Sequence, residues 1–149
     1  LKGCMGEYAV RTLYRQGNIQ AHQTLSREIN APDITVPSHT ILTSIEPARC
    51  EEVKTWDAFH WERFGKTIRP SHAKKYADRG RSRVWFCSAD VSTGIVHVHG
   101  WATPEEILEA KKIMTQGRYG AENHYLEVLH RVHEVMPWVD DKDDLMEWW

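Results

Sequence analysis

The apolar positions of this chain fall into short blocks whose spacing changes along its length. Over residues 3–16, Met5, Tyr8, Ala9, Leu13 and Tyr14 recur at helical spacing and Gly17-Asn18 supplies a stop, so the pattern predicts a helix. A short extended segment is expected around Ile19–Leu25. Ile34-Thr35-Val36 is β-branched, follows Pro32-Asp33, and predicts a strand with a turn at its start. The stretch 37–48, with Pro37, Ser38, Thr43, Ser44 and Pro47, reads as a hairpin connection with a little strand near Thr40–Leu42. Cys50–Trp56 is expected to be extended despite its glutamates. Asp57–Arg69 has no clear period, and Phe59, Trp61 and Phe64 point to a packed loop or short strand.

Pro70-Ser71 opens a helix to about Asp78, with Gly80 as its stop. Arg83–Ala89 predicts a core strand, and Ile95–Gly100 alternates and pairs with it across Ser92-Thr93-Gly94. Thr103-Pro104-Glu105-Glu106 combines a cap, a first-turn proline and a capping-box glutamate. It predicts a helix to about Thr115. Ala121–Val135 reads as a further helix, stopped by Pro137. The element order predicts one α/β (α+β) domain over 1–149. Its core, about 2–116, has a central mixed β-sheet flanked by helices, and a helical extension with an acidic tail follows over about 117–149.

Composition narrows the class. With 149 residues, 41 % hydrophobic and 27 % charged, the chain suits a single globular domain. No apolar run is long enough to span a membrane, and no basic-then-apolar leader opens the chain, so no signal peptide is expected. The start at Leu1 raises the expectation of a domain excised from a larger parent protein. Cys4, Cys50 and Cys87 are far apart and form no C-x-x-C pair. A disulfide framework and a cysteine zinc site are therefore not expected, and the chain reads as intracellular, cytoplasmic or nucleoid-associated. Net charge is only -2, which gives no general field for nucleic acid. Locally the balance differs: from Glu62 to Arg83, eight cations face only Glu62 and Asp78. Lys66, Arg69, Lys74 and Lys75 are the candidate phosphate contacts, with a solvated helix face as the alternative.

One constellation carries chemistry. Pro32-Asp33 is followed, at hairpin distance, by Glu52-Val53-Lys54. Alternation along a strand puts Glu52 and Lys54 on one face. If Asp33 lies alongside, two carboxylates and an ammonium meet. Such a group can hold Mg²⁺ or Mn²⁺, with the Val53 carbonyl as a third ligand. It can also polarise a phosphodiester and lower the pKa of a bound water, while the lysine stabilises the charge that builds on phosphorus. About one acidic-x-Lys match is expected by chance in a chain of this length. Two others occur, at Glu109–Lys111 and Asp140–Lys142, but only Glu52–Lys54 falls in an expected strand. The alternative is an exposed pair of ionic residues at a strand edge.

The segments Lys2-Gly3-Cys4-Met5-Gly6-Glu7, Ala31-Pro32-Asp33-Ile34 and Glu52-Val53-Lys54-Thr55 resemble the PD-(D/E)XK nuclease superfamily, and in motif the archaeal-type Holliday-junction resolvases. That likeness covers roughly 2–100 in element order. It implies a restriction-endonuclease-like core in which Asp33 and Glu52 bind the metal, Lys54 is the catalytic lysine and Glu7 is an auxiliary carboxylate. Ser26 lies where resolvases often carry a serine, although the spacing does not match. The long stretch 37–48, the aromatic segment 56–64 and the extension 117–149 depart from the family's small core and bear most on the substrate.

Other residues have competing uses. His97 and His99 share a strand face and could ligate zinc or copper, but surface or packing roles fit them as well. Ser71 and His72 precede Lys74-Lys75 and could bring cations to a phosphate. Trp85 and Trp101 read as core. Trp56 and Trp61 suit core packing, with stacking on unpaired bases as the alternative. Trp148-Trp149 read as a docking terminus. No G-x-S-x-G, Walker A or dinucleotide glycine pattern appears, which weakens serine-hydrolase, NTPase and dehydrogenase readings. The expected function is a Mg²⁺- or Mn²⁺-dependent endonuclease acting on DNA, with a homodimer expected for double-strand cleavage. The alternative is an inactive nucleic-acid-binding or assembly module with a nuclease-like fold.

Overall fold

The computed structural model describes residues 1–24, 31–115 and 120–140, and the path of the chain over 145–147. Ser26, Trp148-Trp149 and most of the acidic tail lie outside the described residues. Helix α1 (Lys2–Gln16) buries Met5, Ala9, Val10, Leu13 and Tyr14, and the chain turns at Gly17. Strands β1 (His22–Gln23) and β2 (Ile34–Val36) follow, then a hairpin of β3 (His39–Ile41) and β4 (Ser44–Glu46), then the long β5 (Arg49–Asp57). A 3-10 turn at Ala58–His60, α2 (Trp61–Phe64) and β6 (Thr67–Ile68) occupy the aromatic segment. Next come α3 (Pro70–Asp78), β7 (Arg83–Asp90), β8 (Ile95–Ala102) and α4 (Pro104–Glu109). Strands β9 (Lys112–Thr115), β10 (Ala121–Tyr125) and β11 (Leu145–Glu147) complete the list, with a 3-10 turn at Val132–Glu134.

The architecture is mixed α and β. The central sheet has the order β1-β2-β5-β7-β8-β11. Of its pairings, β5 with β7 is parallel and the others are antiparallel. The sheet is buried on both faces because β7 is apolar at nearly every position. Trp85, Cys87 and Ala89 join the core under α1, while Val84 and Phe86 join a second core with Ile68, Ala73, Tyr76 and Ile107. Helices α3 and α4 and the small sheet β6-β10-β9 cover that second face. Among the described residues no helix is long and apolar enough to cross a membrane.

The C-terminal third corrects the expectation of a helical extension. The capping box of Thr103 and Glu106 forms, so the start of α4 is as expected. The helix nevertheless ends at Glu109, with Ala110 extended (ψ 144°). Lys112–Thr115 and Ala121–Tyr125 are antiparallel strands, and β10 also pairs with β6. A short apolar pattern fits either period; here the backbone of Thr67–Ile68 offers a ladder partner and decides for strand. His124 and Leu126, two apart, are the buried pair of that segment.

The deepest polar group is Glu51 of β5, fully buried on the α1 face. The Tyr14 hydroxyl (2.8 Å), Arg49 Nε (3.0 Å), Arg83 Nη1 (3.1 Å) and Trp85 Nε1 (3.1 Å) all donate to its carboxylate. Arg49 Nη2 in turn donates to the Tyr14 oxygen. The cluster joins α1, β5 and β7. Glu51→Ala strands the buried guanidinium of Arg49 and the partly buried one of Arg83 and should destabilise the fold by about 3–5 kcal/mol in a denaturant titration. The exposed Glu122→Ala should stay within about 0.5 kcal/mol of the parent.

Candidate active site

Glu51 fixes the phase of β5. Because it faces α1, its neighbours Glu52 and Lys54 face α3. Ile34 pairs with Glu51, so Asp33 lies opposite Glu52, one step beyond the last rung of the β2–β5 ladder. There the backbone N–H of Val53 donates to Asp33 Oδ2 at 2.9 Å. The N–H and C=O of one strand residue point to the same side, so the Val53 carbonyl lies on this edge too. Glu7 arrives from α1, held by Gln23 Nε2 at 3.1 Å. The structure therefore brings together Glu7, Asp33, Glu52 and Lys54, which lie on three separate segments of the sequence.

The carboxyls crowd one another. Glu52 is pushed up to about 7, first by burial and then by its bond to Asp33, against the pull of Arg81. Glu7 is also raised, by burial and by the charge of Asp33. Arg81 donates from Nε to Glu52 Oε1 at 2.8 Å, and both side chains are buried. Gly80 (φ 65°) ends α3 in the left-handed conformation and turns the chain so that Arg81 comes under the sheet. Reading the sequence missed Arg81. Its one signal is its place, directly after the helix stop and before the core strand that pairs with β5.

Lys54 is half-buried and sits 3.2 Å from His72 Nδ1, above the ring of Tyr76. Burial lowers its pKa, opposed by Asp33 and Glu52, with Lys75 and Arg69 adding to the lowering. His72 is lowered as well, by burial and by Lys54, Lys75 and Arg69, so its neutral ring can accept the lysine's hydrogen bond. The expected phosphate contacts divide. Arg69 and Lys75 lie in the field of Lys54, and Lys74 is exposed on α3. Lys66 acts instead on His99.

His97 and His99 do neighbour each other, with ring centroids 4.0 Å apart. His99 is the extra residue of a β-bulge opposite Phe86. It stacks on Trp61 at 3.7 Å, and its Nε2 lies 2.7 Å from Ser88 Oγ. Burial, His97 and Lys66 lower its pKa to about 3. These contacts describe a packed neutral imidazole. Among the described residues, no group of three or more His, Cys, Asp or Glu side chains is arranged to hold a metal ion. The carboxyls of Asp33 and Glu52, with the Val53 carbonyl, form a smaller set of hard oxygen donors of the kind that Mg²⁺ accepts when it keeps several waters. Their mutual repulsion is what a bound cation would relieve. Comparison with known proteins gives no match to this chain among family models, curated proteins or solved structures.

Glu52 has a folded-state pKa above its ordinary 4.5, so its contribution to stability is complete below about pH 4.5 and is lost as pH rises through about 7. Glu52→Gln keeps the neutral shape. Between pH 5 and pH 8 the stability of the variant relative to the parent should shift in its favour by on the order of 2 kcal/mol in thermal or urea unfolding, whatever constant cost the loss of the Arg81 ion pair adds. A difference between variant and parent that does not change with pH would show that the Glu52 pKa is not raised by its burial and by Asp33.

Proposed function

We propose that this protein is a metal-dependent endonuclease with a restriction-endonuclease-like core, hydrolysing phosphodiester bonds in DNA. The observation that carries the reading is the meeting of Asp33, Glu52 and Glu7 with Lys54 at the end of the β2–β5 ladder. Asp33, Glu52 and the Val53 carbonyl would hold Mg²⁺ or Mn²⁺, which when bound supplies Lewis acidity and an acidified water. Lys54 then places its ammonium beside the anionic phosphorus centre, where charge builds during displacement. His72 positions that ammonium. Glu7, whose pKa burial and Asp33 raise, is a stronger base than a free glutamate and would take a proton from the attacking water. Arg69 and Lys75 add positive charge where the phosphate backbone would lie. The free cysteines Cys4, Cys50 and Cys87 fit an intracellular setting, where DNA is met.

A second reading has its own observation. Arg81 already neutralises Glu52 through a 2.8 Å ion pair, as a built-in counter-ion would. In that reading the protein binds nucleic acid without cutting it.

One experiment separates the two. Labelled duplex, single-stranded and branched DNA are incubated with Mg²⁺, Mn²⁺ or EDTA. The nuclease reading expects cutting that needs the cation and falls by about 100-fold or more in Lys54→Ala. It also expects Mn²⁺ to raise the melting temperature of the parent but not of an Asp33→Asn, Glu52→Gln double variant. A folded parent that neither cuts DNA nor responds to Mn²⁺ overturns the nuclease reading, and retention of DNA by that protein in a gel shift would then support the binding module.

A further inference from the structure

Beside the carboxyls lies a cleft of about 430 Å³, within the range that accommodates a small organic ligand. Five elements build it, β6 among them through Thr67 and Ile68. Lys2 comes from α1, Lys54 and Trp56 from β5, Arg69 and His72 from the start of α3, and Asn123 from β10. The lining is cationic at several points, yet it includes an indole braced from behind. Trp56 stacks on Phe86 at 5.7 Å with an interplanar angle of 9°, and Trp61 meets it edge-on at 5.4 Å. The cleft also lies against a polar atom without a partner. Asn123 Oδ1 is buried and accepts no hydrogen bond, while its Nδ2 donates to Thr115 at 3.3 Å. Native interiors rarely leave such groups unsatisfied.

Cations suit a phosphate, an aromatic platform suits a planar ring, and an amide acceptor suits the edge of a base. We infer that the cleft is a binding site for one unpaired nucleotide of a DNA strand, which rests on the nuclease reading for the strand's course past Asp33 and Glu52. Lys54 belongs to both the cleft and the carboxyl cluster, so a nucleotide seated here brings its phosphate to the reacting centre. In an intact duplex the faces of a base are covered by its neighbours, and entry into a concave site requires extrusion. The substrate class that follows is single-stranded or flapped DNA in preference to continuous duplex.

Binding is tested in EDTA, so that cutting plays no part. Fluorescence anisotropy compares labelled oligodeoxynucleotides of one length: a single strand, its fully paired duplex, and the single strand with abasic central positions. The single strand should bind about tenfold tighter than the duplex and lose about tenfold when its central bases are removed. Arg69→Ala, an exposed change, and Asn123→Ala should each weaken the intact strand and leave the abasic strand less affected in the Asn123 variant. Equal binding of abasic and intact strands, or duplex binding as tight as single strand, overturns the assignment. Base-dependent binding without any metal-dependent cutting leaves the cleft standing and removes the nuclease reading. Cutting of plain duplex without base-dependent binding does the reverse.

Discussion

The burial of Glu51 beneath α1 is the constraint on which the rest of the molecule depends. A carboxylate with no access to water needs several donors, and it finds them in Tyr14, Arg49, Arg83 and Trp85. Those donors come from the helix, from the strand itself and from its parallel neighbour. A slip of β5 by one residue would put Glu52 into that nest and turn every other side chain of the strand to the wrong face. The network thus specifies a register as much as it adds stability. Through the register it decides that Glu52 and Lys54 look toward α3 and the cleft.

The opposite face shows the contrary economy. Glu7, Asp33 and Glu52 are drawn together, with Arg81 offsetting Glu52 and Arg11 acting on Glu7. Burial raises Glu7 and Glu52, and burial lowers Lys54 nearby. A fold selected for stability alone would disperse like charges. Their concentration where the β2–β5 ladder stops is the arrangement expected of a site that handles ions or protons. Two glutamates adjacent in sequence thus meet different partners, Glu51 the donors of the α1 face and Glu52 Arg81 and Asp33, because they belong to different faces.

Much of the fold was legible because the elements are locally marked. The helix 3–16, the strand at Ile34–Val36, the helix from Pro70 to Asp78 and the pair Arg83–Ala89 and Ile95–Gly100 all carry their own period and punctuation, and each stands within a residue or two of its expected place. The capping box of Thr103 was readable because it is a contact between residues three apart. The end of that helix was not, since it depends on β10 pairing with the backbone of Lys112–Thr115. The segment from Ala121 was misread for the same reason: its alternation is short and its partner, Thr67–Ile68, lies more than fifty residues earlier.

Local pattern along the chain sets the kinds of group available and their immediate geometry. Asp33 is at a strand start, Glu52 and Lys54 share a face, Glu7 is on a helix, and a basic run follows. These are matters of period and spacing, which act over a few residues. Only the tertiary structure decided that Asp33 meets Glu52, that Arg81 takes up one carboxyl, that His72 turns to Lys54, and that Trp56 and Asn123 border one cleft. Each of those depends on contact between distant segments. Such contacts follow from which apolar faces bury together, and no local pattern encodes that choice.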